Sequence, residues 1–205
     1  MDYLGGVDFS GKRVIEVGPA SGFLSFHMEE HGAHVTSIEP PVTQLWDYVP
    51  QSRDILEKFS SIFPDHIARI RNGFWHCHKE KKSSGQLFEE NAYYLPSSLG
   101  KFDIGLLAAV LLHTRSPVTI MESVAKLVTD TIVVTELYFE DLEGQSVSRL
   151  APGPDNPTCD TWWQFSTQFF VRYLAVLGFP NAKITLSQQK LSDRVVPMFT
   201  VVARR

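Results

Sequence analysis

The sequence predicts an α/β fold on a mainly parallel sheet, and three observations carry that expectation. Strand-like and helix-like segments alternate along the chain, as they do where helical crossovers join parallel strands. "KFDIGLLAAVLLHTRSP" (Lys101 to Pro117) has the near-continuous hydrophobicity of a strand buried on both faces. "KRVIEVG" (Lys12 to Gly18) is a β-branched run that stops at glycine and passes straight into a helical pattern. That strand–turn–helix order opens a ligand crevice at the carboxyl edge of such a sheet.

Taken in order, the first strand at Lys12 to Gly18 is followed by the helix "GFLSFHMEEHGA", which Gly32 stops. "HVTSIEP" (His34 to Pro40) is the second strand, ended by Pro40 and Pro41. Residues 43–84 form a long connection carrying Trp46, Trp75 and the helical "PDHIARIRNGFWHCHKEKK"; its length exceeds a minimal crossover and predicts a lid or substrate-side wall. "GQLFEENAYYLP" (Gly85 to Pro96) supplies the third strand and "KFDIGLLAAVLL" the fourth. "SPVTIMESVAKLVT" is a helix with Ser116 as its cap and Pro117 at the first helical position. "DTIVVTELYFE" is the fifth strand, and the loop "LAPGPDNPTCD" leads to the helix "STQFFVRYLAVLGF", which closes near Gly178. "NAKITLSQQKL" and "VVPMFTVVARR" make a C-terminal antiparallel pair, for seven strands in all.

Composition narrows the function classes. The 205 residues fit one domain, 1–205, large enough to bury a core without disulfide or metal staples. Hydrophobic residues at 43% and charged residues at 20% are ordinary for a soluble globular chain, and no run or leader resembles a membrane span or signal peptide. Two cysteines, Cys77 and Cys159, lie far apart with no zinc spacing, so a cytoplasmic location is expected. A net charge of -4 exerts no global pull on nucleic acid.

The loop "VIEVGPASGF" (Val14 to Phe23) admits two ligand classes, a dinucleotide and S-adenosylmethionine. Its Gly18, Ala20, Gly22 order breaks the GxGxxG spacing that a dinucleotide fingerprint needs, which ranks a nicotinamide oxidoreductase last. Glu16 inside the strand is costly to bury without donors, so its carboxylate is expected to reach the crevice or the loop amides. Ala20 is tolerable there provided its φ stays negative. "ExGxAxG" resembles the first motif of the class I methyltransferases, in which the acid and loop surround the methionine part of S-adenosylmethionine.

The resemblance extends along the chain. Glu39, at the end of the second strand, stands where that superfamily places an acid to accept hydrogen bonds from both ribose hydroxyls. Asn91 and Ala92 match the residues that meet the adenine amino group and ring. The fourth strand, with Ala108 in the implied cofactor set, is similar to the superfamily's central strand, and the C-terminal pair to its hairpin. The implied fold is therefore a Rossmann-like class I methyltransferase with a seven-stranded mainly parallel sheet. "VLLHTRSP" and "TWWQFSTQFFVRYLAVLGF" are similar to the tRNA wobble-uridine carboxymethyltransferase and its relatives. That group has a tyrosine before the motif's histidine to hold the carboxylate of carboxy-S-adenosylmethionine. Leu112 occupies the position here and cannot hydrogen-bond, so ordinary S-adenosylmethionine is the implied cofactor.

Methyl transfer needs a base only where an oxygen or nitrogen nucleophile loses a proton. His113, polar at the end of an apolar strand, is the candidate base, weighed against a role capping that strand. Arg115 is the candidate clamp for a substrate carboxylate or phosphate, weighed against a structural ion pair. Trp162 and Trp163 are candidates for an aromatic wall. "HCH" (His76 to His78) lacks further ligands at zinc spacing, so no metal is expected. "KEKK" (Lys79 to Lys82), with Arg69 and Arg71, is either a phosphate-contacting patch or a solvated helix face. A small-molecule methyltransferase leads, ahead of a tRNA-modifying enzyme and of a non-catalytic S-adenosylmethionine-binding subunit.

Overall fold

The computed structural model describes residues 2–41, 47–191 and 194–205. A seven-stranded sheet runs in the order β3-β2-β1-β4-β5-β9-β8. Its members are β1 (Arg13–Val17), β2 (His34–Glu39), β3 (Gln86–Glu89), β4 (Phe102–Ala108), β5 (Val128–Leu137), β8 (Asn181–Leu191) and β9 (Arg194–Arg204). β3, β2, β1, β4 and β5 are parallel neighbours, while β9 lies antiparallel between β5 and β8. This is the expected sheet, including its C-terminal antiparallel pair.

The apolar strands feed two cores by alternation. On one face Val14, Ile104, Leu106 and Val133 join Leu4, Phe9 and Met28. On the other, Ile15, Val17, Leu107, Ile132 and Val134 pack beneath helices α3 (Pro117–Ala125) and α4 (Thr167–Val176). Period-2 projection of an unbroken apolar run onto both faces is what a central parallel strand requires. At Gly105 a Cβ would lie 2.7 Å from a Val124 methyl and 2.8 Å from one of Val128, so only glycine lets α3 approach β4 this closely.

Five local expectations change, the first being that the fourth strand, expected to run to Leu112, ends at Ala108 and gives way to a 3-10 turn over Leu111–His113. The third strand is only Gln86–Glu89; Ala92–Tyr94 curl into a 3-10 turn because the Asn91 side chain accepts the Tyr93 amide at 3.0 Å. Ser116 precedes α3 but caps no amide; its hydroxyl pairs with Thr119 Oγ1 at 2.8 Å, whereas Ser166 caps α4 through the Phe169 amide. Helix α2 (Arg53–Lys81) begins eleven residues before Pro64 and carries that proline inside it. A short ribbon of β6 (Ser148–Leu150) and β7 (Trp163–Phe165) arises where only loop was expected. The first helix, α1 (Phe23–Glu30), starts at Gly22 with φ 84°, a conformation that favours glycine. Among the described residues no helix is long and apolar enough to cross a membrane.

Candidate functional site

A cavity of about 300 Å³ opens at the carboxyl edge of the sheet, where β1 and β4 send their connections to opposite faces. Gly18 and Ala20 after β1, Glu39 and Pro40 at the end of β2, and Asn91 and Ala92 after β3 line one half. Ala109, Val110 and His113 after β4 form the floor. Phe63, His66, Ile67 and Ile70 of α2 close the far side, with Asp47, Tyr48 and Asp160 beside them. The i, i+3, i+4, i+7 spacing puts those four α2 residues on one helical face, which borders the cavity.

Glu39 is buried in this cavity, and desolvation pushes its carboxyl up to about 7; Arg71 and the Ala20 backbone amide pull the other way without cancelling that effect. Arg71 is committed elsewhere: its guanidinium donates to the Pro40 carbonyl and, at 3.0 Å, to Glu89. A buried carboxylate facing a cavity with so little neutralising charge is a ready acceptor for ligand hydroxyls.

His113 combines exposure to the cavity with a fixed tautomer. Its Nδ1 lies 2.6 Å from the Asp160 carbonyl oxygen, which can only accept, so Nδ1 carries the proton and Nε2 of the neutral ring holds the lone pair. The turn Leu111–His113 is anchored from below by Glu136 of β5, which accepts the Leu111 and Leu112 amides at 3.0 and 3.3 Å. Burial raises the Glu136 carboxyl to about 8, with the two amides opposing the shift.

Other sequence candidates sit differently from expectation. Glu16 reaches neither the cavity nor the loop amides: it accepts the hydroxyls of Ser25 on α1 and, at 3.0 Å, Ser37 on β2, and burial raises it to about 7. Its role in the structure is to join β1, α1 and β2. Ala20 has φ 49° rather than a negative value, because the loop turns through the left-handed region between Gly18 and Gly22. Gly22 packs under α1, where a Cβ would lie 2.4 Å from the Phe26 ring, and does not line the cavity. The Ala108 side chain packs against the core on the α1 face; Ala109, with φ 50°, and Val110 line the cavity instead.

Arg115 is outside the cavity wall. Its guanidinium stacks on Trp162, 5.1 Å from the ring centroid, and donates to the Tyr48 carbonyl at 3.4 Å. The two tryptophans brace the rim and do not form an aromatic wall: Trp162 Nε1 donates to the Asp47 carbonyl and Trp163 Nε1 to the Thr114 carbonyl at 2.9 Å. The aromatic lining comes from Tyr48, Phe63 and Tyr93. The Tyr93 hydroxyl donates to Asp47 Oδ2, which also takes the Arg115 amide at 2.9 Å; burial first and that bond second raise the phenol to about 12.

Nothing in local sequence pairs Asp47 with Tyr93 or Asp160 with His113. The apolar face of α2, by contrast, leaves a signal in the spacing of residues 63, 66, 67 and 70, which the expected helix start at Pro64 cut short. At the C-terminal end of α2, Lys81 pairs with Glu30 at 2.6 Å, and half-buried His78 has Nε2 3.0 Å from the Gly85 carbonyl. The basic stretch is thus partly neutralised, and His78 of the "HCH" run is spent on backbone.

Solved structures share this architecture. Magnesium protoporphyrin IX methyltransferase from Synechocystis, with S-adenosylmethionine bound, matches with TM-score 0.58 at 13% identity, over 98% of this chain and 74% of that one. The 1,6-didemethyltoxoflavin-N1-methyltransferase of Burkholderia thailandensis, holding 1,6-didemethyltoxoflavin and S-adenosylhomocysteine, matches with TM-score 0.60 at 14% identity, over 96% and 72%. An S-adenosylmethionine-dependent methyltransferase from Methanosarcina mazei gives 0.63 at 13% identity, over 98% and 95%. The chain has the class I methyltransferase fold. No protein-family model and no curated protein matches its sequence.

Proposed function

We propose that the chain is an S-adenosylmethionine-dependent methyltransferase acting on a small molecule. The observation that carries this reading is Glu39: a buried carboxylate at the end of β2, raised to about 7 and facing a cavity beside the Gly18–Gly22 loop. A ribose diol supplies the two hydroxyl donors that such a group lacks. Asn91 and Ala92 border the same half of the cavity, where the adenine would lie. Bound there, S-adenosylmethionine supplies an electrophilic methyl group on a positively charged sulfur.

His113 is the proton acceptor in this reading. Its Nδ1–H is held by Asp160, so Nε2 is free to take the proton of an acceptor N–H or O–H. Glu136 holds the turn that carries it, and α2 lines the opposite side. Glu16 contributes by tying the loop's strand to α1 and β2, without touching ligand. Arg115 is assigned to the rim, not to the chemistry.

A tRNA acceptor, the finer implication of the wobble-uridine likeness, is placed second because the cations on α2 that would meet phosphate include Arg71 and Lys81, both already paired. Calorimetry with S-adenosylmethionine and S-adenosylhomocysteine tests the primary reading. Micromolar binding of both is expected, and absence of binding by folded protein would sink it. Salt-dependent binding of tRNA would promote the second reading.

A further inference from the structure

The cavity wall opposite Glu39 is built without positive charge. Among the described residues that line the cavity there is no Lys or Arg, whereas Glu39, Asp47 and Asp160 all do. The two nearest arginines are committed outside it, Arg115 on Trp162 and the Tyr48 carbonyl, Arg71 on Glu89 and the Pro40 carbonyl. The polar capacity left over accepts protons or is neutral. His113 Nε2 holds a lone pair, Asp47 spends Oδ2 on Tyr93 and Arg115 while Oδ1 meets no donor among the described residues, and exposed His66 lines the α2 side. Between these lie the apolar surfaces of Tyr48, Phe63, Ile67 and Ile70.

We infer that this wall selects a methyl acceptor that is an uncharged or cationic ring compound, donates N–H or O–H hydrogen bonds, and carries neither carboxylate nor phosphate. The inference rests on the methyltransferase reading of the same cavity. An anionic group brought here would lose its hydration and meet carboxylates, while Arg71 and Arg115 are already engaged with other partners. A flat apolar ring gains contact with Tyr48 and Phe63 and presents its donor to His113 or Asp47. Specificity against acids then comes from repulsion rather than from any contact to the preferred molecule.

Calorimetry first establishes S-adenosylhomocysteine binding. The saturated protein is then titrated, by ligand-observed NMR, with 2-naphthol and 4-hydroxyquinoline, each beside a carboxylated counterpart, 3-hydroxy-2-naphthoate and 4-hydroxyquinoline-2-carboxylate. The uncharged member of each pair is expected to bind at least about tenfold more tightly, equivalent to about 1.4 kcal/mol. Ile67→Lys places a cation on the half-buried face of α2 and is expected to erase or reverse that preference. Equal or tighter binding of the carboxylated members to the wild-type protein overturns the inference, as does binding of neither member of either pair. An unchanged ranking in the Ile67→Lys variant overturns the assignment of the wall. Failure of S-adenosylhomocysteine itself to bind overturns the methyltransferase reading, and the inference with it.

Discussion

The two halves of the cavity are built on different foundations. The half formed by Gly18, Glu39, Asn91 and Ala92 sits at strand ends whose positions the parallel register of β1, β2 and β3 fixes. The half formed by α2, Asp47 and Asp160 hangs from side-chain bonds between segments far apart in sequence: Tyr93 to Asp47, Trp162 to the Asp47 carbonyl, His113 to the Asp160 carbonyl. Backbone ladders set the strand-end half; the other half depends on these side-chain bonds together with the single backbone bonds from Val49 to Cys159 and from Trp162 to Leu112. Loops and inserts held by side chains are where one scaffold acquires different substrates.

Breaking each half separately tests that division. His113→Ala is expected to lower the rate of methyl transfer about 10²- to 10⁴-fold, the usual range for loss of a general base, with S-adenosylmethionine affinity changed by less than about threefold. S-adenosylhomocysteine release measures the first and calorimetry the second. Equal losses in both would mean that His113 belongs to the strand-end half.

Glu39→Ala attacks the strand-end half. Loss of a charged acceptor for two hydroxyls is worth about 1.5–3 kcal/mol, so S-adenosylmethionine affinity is expected to fall roughly 10- to 100-fold. Because the free carboxyl titrates at about 7 and the ionised form binds hydroxyl donors better, wild-type affinity should rise as pH increases from 6 to 8. Glu39→Gln should lose that dependence.

Stability carries a pH signature of its own. Glu16 and Glu136 are raised above the ordinary 4.5, to about 7 and about 8, by burial. The folded chain therefore keeps protons that the unfolded chain releases; the associated stability is full below about 4.5 and is lost as pH rises through 7 to 8. The thermal midpoint should fall between pH 5.5 and 8.5, and Glu136→Gln should flatten the decline. At the small end, Ala20→Gly relieves a left-handed alanine. The relief, about 1–2 kcal/mol, is offset in part by glycine's greater unfolded freedom, so a midpoint gain of about 2–4 °C is expected by calorimetric scan.

Legibility in the sequence followed the same divide. β1, β4 and the C-terminal pair were readable because period and burial are local properties of "RVIEV", "FDIGLLA" and "RVVPMFTVVAR". Glu39, singled out through the methyltransferase resemblance, lies at the end of β2 and faces the cavity. Arg115 was not, because its orientation is decided by Trp162, 47 positions away. Glu16 was misdirected for a related reason: its donors, Ser25 and Ser37, come from two other elements, and nothing in "VIEVG" signals them. The start of α2 was missed because proline usually marks a boundary, yet here the apolar face at Phe59 and Phe63 continues the helix across Pro64.

Pro64 also divides α2 into two kinds of attachment. Among the described residues, the polar side-chain bonds from the helix to other elements all lie after it: Arg71 to Glu89 and the Pro40 carbonyl, His78 to the Gly85 carbonyl, Lys81 to Glu30. Before it, Phe59 and Phe63 stack at 4.7 Å and meet Tyr48 edge-on. Ionic strength therefore acts on the attachments of one half of the helix to its neighbours and hardly on those of the other. Screening weakens the ion pairs of the C-terminal half, while the ring cluster beside the cavity, being uncharged, keeps its grip in brine.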